Sequence, residues 1–346
     1  MPGVVRLLGG LAAAVLLVLA AASAGISAAP ERAGYVLITA VGDIAMAPSP
    51  DGGAGFFRRV RRGLNGDVVL GNLEGTLATR GASKCGPATT DCFAFRAPPS
   101  YARVLRRAGF TVLNLANNHA LDFGPSAQDE TVAALDRGHL LHTGRPDEVA
   151  FARAGETTIA VLGFAPYSWA EDLRDLPRVR RVVRAAAGLA DLVVVTMHAG
   201  REGRDADHVE RVVETYLEEA RGNVVAFAHA AVEAGADLVV GHGPHVLRGM
   251  EWYRGRLIAY SLGNFLGNGT LSISGTLGVS GILRVRLRPD GSWEGGSLLP
   301  VRLVPPGVPS FDSSRAAVGL VARLSREDFG RRAVRLSEAG ALRPPG

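Results

Sequence analysis

Four side chains able to ligate a metal or exchange a proton, Asn117, Asn118, His119 and Asp122, follow directly on the apolar run Thr111 to Leu115. That run alternates and branches like a buried strand. In an α/β sheet, side chains just past the carboxyl end of a strand project into the crevice where ligands sit. A turn capped by Asn and Asp is the plain alternative, because both residues bond locally to the backbone. Repetition weighs against it. Tyr35 to Val41 ends in Gly42-Asp43, Asp67 to Leu70 in Gly71-Asn72-Leu73-Glu74, Leu192 to Thr196 leads to His198, and Leu238 to Val240 leads to Gly241-His242-Gly243-Pro244-His245. A lone histidine on an apolar run is ordinarily a core or turn residue. Five strand ends presenting carboxylate, carboxamide and imidazole read as one site.

Mixed oxygen and nitrogen donors without a thiolate suit a divalent transition ion, Mn, Fe or Zn, better than a structural zinc finger or a calcium loop. The metal candidates are Asp43, Asn72, Glu74, Asn118, His198, His242 and His245. They are more than one tetrahedral catalytic ion uses, so one or two ions are expected. A pair of ions about 3.5–4 Å apart is the usual clamp for in-line attack on phosphorus. Arg96, Glu202 and Asn264 are candidate contacts to an anionic substrate.

The elements that must position these groups follow from the pattern around them. Short helices are expected over Phe56 to Leu64, Tyr101 to Ala108, Ser126 to Arg137, Arg178 to Ala187, Ala206 to Glu219 and Ala228 to Ala234. Thr158 to Phe164 reads as another strand, Arg256 to Ser261 and Gly281 to Arg286 as a pair of strands, and Gly296 to Val304 as a further one. His139, His142, His208 and His229 follow no strand and are read as packing or surface residues. The expected fold is α/β.

Composition bounds the rest. The 346 residues, 47% hydrophobic, supply ample core for one large domain. The net charge of +5 is carried almost wholly by Arg, with Lys84 the one lysine, and aromatics are only 6%. No basic run is interleaved with aromatics, so no nucleic-acid partner is expected. Cys85 and Cys92 lie seven residues apart in a loop rich in Gly, Pro, Ser and Thr. In an exported protein that pair reads as a disulfide.

Taken in order, Gly42-Asp43, Gly71-Asn72-Leu73-Glu74, Asn114 to Gly124, His198, Gly241-His242-Gly243-Pro244-His245-Val246 and Tyr260-Ser261-Leu262-Gly263-Asn264-Phe265 resemble the capsule synthesis protein CapA family. That family takes part in poly-γ-glutamate biosynthesis and belongs to the calcineurin-like metallophosphoesterase superfamily. The resemblance covers roughly residues 35–304. It implies a sandwich of two central β-sheets flanked by helices, with a metal site at the strand ends. It implies a phosphoesterase acting on an anionic phosphoester or polymer, or a non-catalytic component of a membrane-bound polymer synthesis complex. Asp43, Asn118, His198, His242 and His245 match the family's ligands, and His119 its catalytic acid, with Asp122 three residues on to orient it. Ala45 stands where the wider superfamily has a histidine, and Asn72 where it has a bridging aspartate, with Glu74 near enough to substitute.

Residues 1–29 read as a signal peptide or an N-terminal membrane anchor: Arg6 is the only charge, Leu7 to Ala21 is apolar, and small residues follow. The metallophosphoesterase domain is expected over 35–304 and a peripheral extension over 305–346. Location is expected to be extracytoplasmic, secreted or held at the membrane. A reporter that works only in the cytoplasm, fused after Gly346, should therefore be silent in cells; activity there would refute the export reading.

Overall fold

The computed structural model describes residues 3–6, 34–86 and 92–346. Its layers follow from strict alternation along the central strands. In the strand Leu192–His198, Leu192 and Val194 share a core with Leu238 and Val240 of the next strand and with Ile38, Leu70 and Val112 of a second sheet. Val193 and Val195 point the other way, onto helices α3 (Leu176–Ala187) and α4 (Val224–Glu233). Both faces of the strand are thus covered, which is why it reads as an unbroken apolar run. Each such valine contributes about 1.5–3 kcal/mol by leaving water.

The second sheet repeats the design. Val69 and Leu113 face helices α1 (Tyr101–Ala108) and α2 (Pro125–Arg137), among Leu105, Leu135 and Phe110. The result is a four-layer α/β/β/α sandwich. In the ten-stranded sheet, Val36–Ile44, Val68–Leu73 and Val112–Asn114 run parallel side by side, with Val279–Leu287 antiparallel on the other side of Val36–Ile44. In the eight-stranded sheet, Thr157–Ala165, Leu192–His198, Leu238–His242 and Arg256–Ala259 run parallel. Helix starts are capped where the chain supplies the residue. Asp175 accepts the backbone N–H of Arg178 ahead of α3, and Asn223 that of Ala226 ahead of α4.

Several expected elements differ. Residues 56–64 are not an α-helix but successive tight turns, Val60 N–H to Phe57 O and Gly63 N–H to Val60 O, ending in a single 3-10 turn, Arg61–Gly63. The apolar spacing was real, since Phe56, Phe57 and Val60 are buried, but it suits three residues per turn as well as 3.6. Ala206 to Glu219 is not a helix either. Its second half forms the hairpin Glu214–Tyr216 and Glu219–Gly222, because Glu214 is pinned by Arg248 and by the backbone N–H of Arg201. Arg256–Ala259 and Val279–Leu287 are strands, but each lies in a different sheet.

The segment after 304, expected to be peripheral, enters the core. Ala317 and Val321 of α5 (Ala316–Phe329) sit in the inter-sheet cluster, and Ala341–Arg343 pairs with Trp293–Val304. Of the apolar N-terminal stretch, only Gly3–Arg6 is described, as a strand against Glu148–Ala154; the rest lies outside the described residues. Among the described residues no helix is long and apolar enough to cross a membrane.

Leu324 of α5 is fully buried. Leu324→Ala should lower the unfolding free energy by about 2–5 kcal/mol, measured by denaturant titration. A change within about 0.5 kcal/mol, the usual range for a surface position, would return the segment to a peripheral role.

Candidate metal centre

Parallel register places the site. Asp43 is the register partner of Asn72, and Asn72 of Asn114, across three neighbouring strands of one sheet. His198 is the partner of His242 in the other. Both rows end at the carboxyl edge of their sheets and meet between them. Gly42 permits the closest approach: a Cβ there would lie 1.8 Å from the carbonyl oxygen of Gly263. His245 is held at φ 63°, an uncommon backbone state for a non-glycine residue and one that aims its ring back into the site.

The donor atoms converge without satisfying one another. Asp43, Glu74 and His198 each offer a ligand atom, and these atoms lie within 4.8 Å of one another. His242 Nδ1 is 3.7 Å from Asp43 Oδ1, and His245 Nδ1 is 3.2 Å from Asp43 Oδ2. Glu74 Oε1 stands 3.7 to 3.9 Å from the Nε2 atoms of His119, His198 and His245. Asp43 Oδ2, both oxygens of Glu74, Asn118 Oδ1, His198 Nε2 and both nitrogens of His242 are buried with no hydrogen-bond partner. Buried polar groups are ordinarily paired. An acceptor-rich cluster left open in this way fits a cation, and these residues could hold a metal ion.

The charges agree. Burial alone would raise the pKa of Asp43, but the close approach of His245, with Nδ1 3.2 Å from Oδ2, aided by His198 and His242, holds its carboxyl well below the usual range. Burial pushes Glu74 up against the pull of His245, with the charges of Asp43 and Glu202 pushing the same way. It pushes His198 down, and His242 down to about 4, so both imidazoles are neutral and able to ligate. His245 is the exception: Glu74, Asp43 and Glu202 overcome its burial and raise it.

With this geometry in hand, the model of the bacterial capsule synthesis protein PGA_cap matches residues 37–269. The chain belongs to the PGA_cap family. Among curated proteins it is 30% identical over 231 residues to the capsule biosynthesis protein CapA of Bacillus anthracis, covering 61% of this chain and 53% of that one. It is 34% identical over 181 residues to the PGA biosynthesis protein CapA of Bacillus subtilis, covering 47% and 44%. The chain thus spans about half the length of the curated relatives it matches. A phosphatase structure from Mycoplasma pneumoniae superposes at a TM-score of 0.49 with 9% identity, over 82% of this chain and 96% of that one.

Within this PGA_cap site the expected residues take different positions. His119 Nδ1 is 2.8 Å from Asp122 Oδ2, which also accepts the backbone N–H of Phe95, so the ring is oriented with Nε2 toward Glu74. Asn118 donates its side-chain amide to Glu202 at 3.4 Å and leaves its side-chain Oδ1 open. Asn72 is brought in, but as a brace. Its amide donates to Asp43 Oδ1 at 2.8 Å and its oxygen accepts from Asn114 and Asn117, so it offers the centre no free oxygen. Asn264 contacts His245 Nδ1 at 2.9 Å and so orients that ring. Arg96 is not brought to the site; its guanidinium lies over the Phe123 ring at 4.2 Å, on the surface.

Two cations were not anticipated. Arg221, 1% exposed, stands 2.7 Å from Glu202 Oε1, and Lys84 stands 2.7 Å from Asp122 Oδ1 with its amine also on the Asn118 carbonyl. The sole lysine of the chain was the available signal for the second. The Cys85–Cys92 disulfide closes the loop next to Lys84. His208 and His229 are engaged by Asp328 and Glu251, away from the centre.

Elemental analysis of the purified protein beside His198→Ala and His242→Ala should show metal in the parent and severalfold less in each variant. Equal metal content in all three would make the histidines structural.

Proposed function

We propose that this chain is a metal-dependent phosphoesterase acting outside the cytoplasm in the synthesis of a capsule or poly-γ-glutamate type polymer. The observation that carries the reading is the set of buried, unpartnered atoms of Asp43, Glu74, His198 and His242 at the strand ends, with ligand atoms of Asp43, Glu74 and His198 within 4.8 Å of one another. One or two ions of Mn, Fe or Zn held there would supply Lewis-acid polarisation of a phosphoryl oxygen. The chain's own residues do the rest. Asp43 and Glu74 anchor the centre, Asn264 and Asn72 fix the directions of His245 and Asp43, and burial keeps bulk water from the floor.

His119 is given the proton. Its Nδ1 is engaged by Asp122, and its Nε2 faces the centre, where a leaving oxygen would depart. Lys84 balances the second oxygen of Asp122, so the carboxylate remains in place as the imidazole hands over its proton. General-acid help is worth roughly 10²–10⁴-fold, and it matters most for a poor leaving group.

A second reading has its own support. Asn72 spends its oxygen on Asn114 and Asn117, so this residue offers no anion and no free oxygen with which to hold an ion. Family membership also fits a non-catalytic, membrane-held component of a polymer synthesis complex that binds a metal or an anionic polymer through the same cleft. Turnover separates the two: release of nitrophenolate from an aryl phosphoester, lost on chelation and restored by Mn²⁺, supports the first and its absence the second.

His119→Ala should keep its metal, retain most activity on nitrophenyl esters, and lose about 10²-fold or more on alkyl phosphoesters. Loss of metal would make His119 a ligand, and equal loss on both substrates would make it a phosphate-positioning group.

A further inference from the structure

The cleft above Asn118, His119 and His245 holds about 780 Å³, and the proposed chemistry uses only its floor. Its mouth is apolar. Leu217, 66% exposed, and Phe93, 60% exposed, are the two most exposed large apolar side chains among the described residues, and both line this cleft. Phe93 follows the disulfide directly. Leu217 sits at the tip of the hairpin Glu214–Tyr216 and Glu219–Gly222.

Leucine is a costly choice for that tip. Leu217 and Glu218 have φ of 47° and 65°, the paired left-handed turn that Asn and Gly fill without strain. A bulky residue there is an outlier, and outliers of this kind cluster at ligand clamps. Packing does not account for it, since the side chain is largely in water. Deeper in the cleft, Leu271 and Leu277 form one wall and the stacked rings of Tyr167 and Trp169, 4.7 Å apart, another. The polar ends of both rings are already engaged, Trp169 Nε1 by the Asn117 carbonyl and Tyr167 OH by Glu219. That wall therefore offers ring faces and no free hydrogen-bonding group with which to read a base or a sugar.

We propose that the apolar mouth takes the hydrocarbon part of the substrate, which is then a long-chain alkyl phosphate ester with its phosphate on the metal-site floor. The proposal rests on the phosphoesterase reading for the position of the phosphate and deepens it by naming the ester's other half. Apolar burial tightens binding by up to about fourfold per methylene, and in an open cleft about twofold is expected.

The test uses the metal-loaded protein and non-hydrolysable n-alkylphosphonates from methyl to octyl, with binding read by calorimetry. Affinity should rise about twofold or more per methylene. Leu217→Ser and Phe93→Ser should flatten the series while leaving methylphosphonate affinity unchanged, and Leu217→Met should keep the slope. A flat series in the parent protein, an unchanged slope in both serine variants, or tighter binding of a nucleoside monophosphate than of octylphosphonate would overturn the proposal. The phosphoesterase reading fails separately. Chain-length-dependent binding without turnover of the matching alkyl phosphates would sink the enzyme and keep the subsite, and turnover of short esters with a flat series would do the reverse.

Discussion

Asp43 is an ionised carboxylate with no access to water, and the architecture around the site can be understood as the means of keeping it so. Burying one unpaired charge costs several kcal/mol even after relaxation. Here the offset comes from Asn72 on the neighbouring strand, from His245 on a loop of the opposite sheet, and from the nearby rings of His198 and His242. Those partners come from both sheets. The register between Val36–Ile44 and Val68–Leu73, and the spacing between the sheets, are therefore constrained at their carboxyl ends by one carboxylate. The cores on either side of the sheets hold the layers together, and Asp43 dictates how they align.

The same constraint explains the carboxamides. Asn114, Asn72 and Asn117 form a chain in which each oxygen and amide is assigned: Asn72 receives from both others, Asn117 receives the backbone N–H of His119 and donates to the Leu73 carbonyl, and Asn114 receives that of Ala116. A fully satisfied buried network is rigid, and a half-satisfied one is worse than an apolar core. Neutral Asn72 in the middle therefore stiffens the strand ends without adding a buried negative charge beside Asp43. Glu74, on the same edge, keeps both side-chain oxygens without a hydrogen-bond partner.

What was legible in the sequence was local. Runs such as Leu192 to Thr196 and Leu238 to Val240 are buried on both faces, so they are continuously apolar and stop abruptly at ligands. Asp43, Glu74, His198, His242 and His245 were visible for that reason. What was hidden depends on pairs distant in the chain. The first strand of the hairpin, Glu214–Tyr216, falls in a stretch that reads as helix, because the contact of Glu214 with Arg248, 34 residues away, leaves no local trace. Lys84 was conspicuous as the one lysine, yet nothing near it in sequence points to Asp122. Asn72 was recognisable as a site residue, but whether its oxygen faces a metal or two other amides depends on Asn114 and Asn117.

Arg248 shows how the two halves of the site are made one body. It lies three residues beyond His245, is 1% exposed, and holds Glu214 through two contacts of 2.6 and 2.8 Å while donating to the Ala206 carbonyl. A buried ion pair of this kind is seldom a net source of stability, since desolvation offsets most of the attraction. Its effect is on position. Through Glu214 it fixes the base of the hairpin, and the hairpin in turn presents Arg221 to Glu202 and the Leu217 tip to the cleft mouth. A loop of the length of 199–222 would otherwise move independently of the strands. Tied to the His242–His245 turn through Arg248, the hairpin is held against the strand ends that carry His198 and His242, so the cleft wall and its floor are joined by one set of buried contacts.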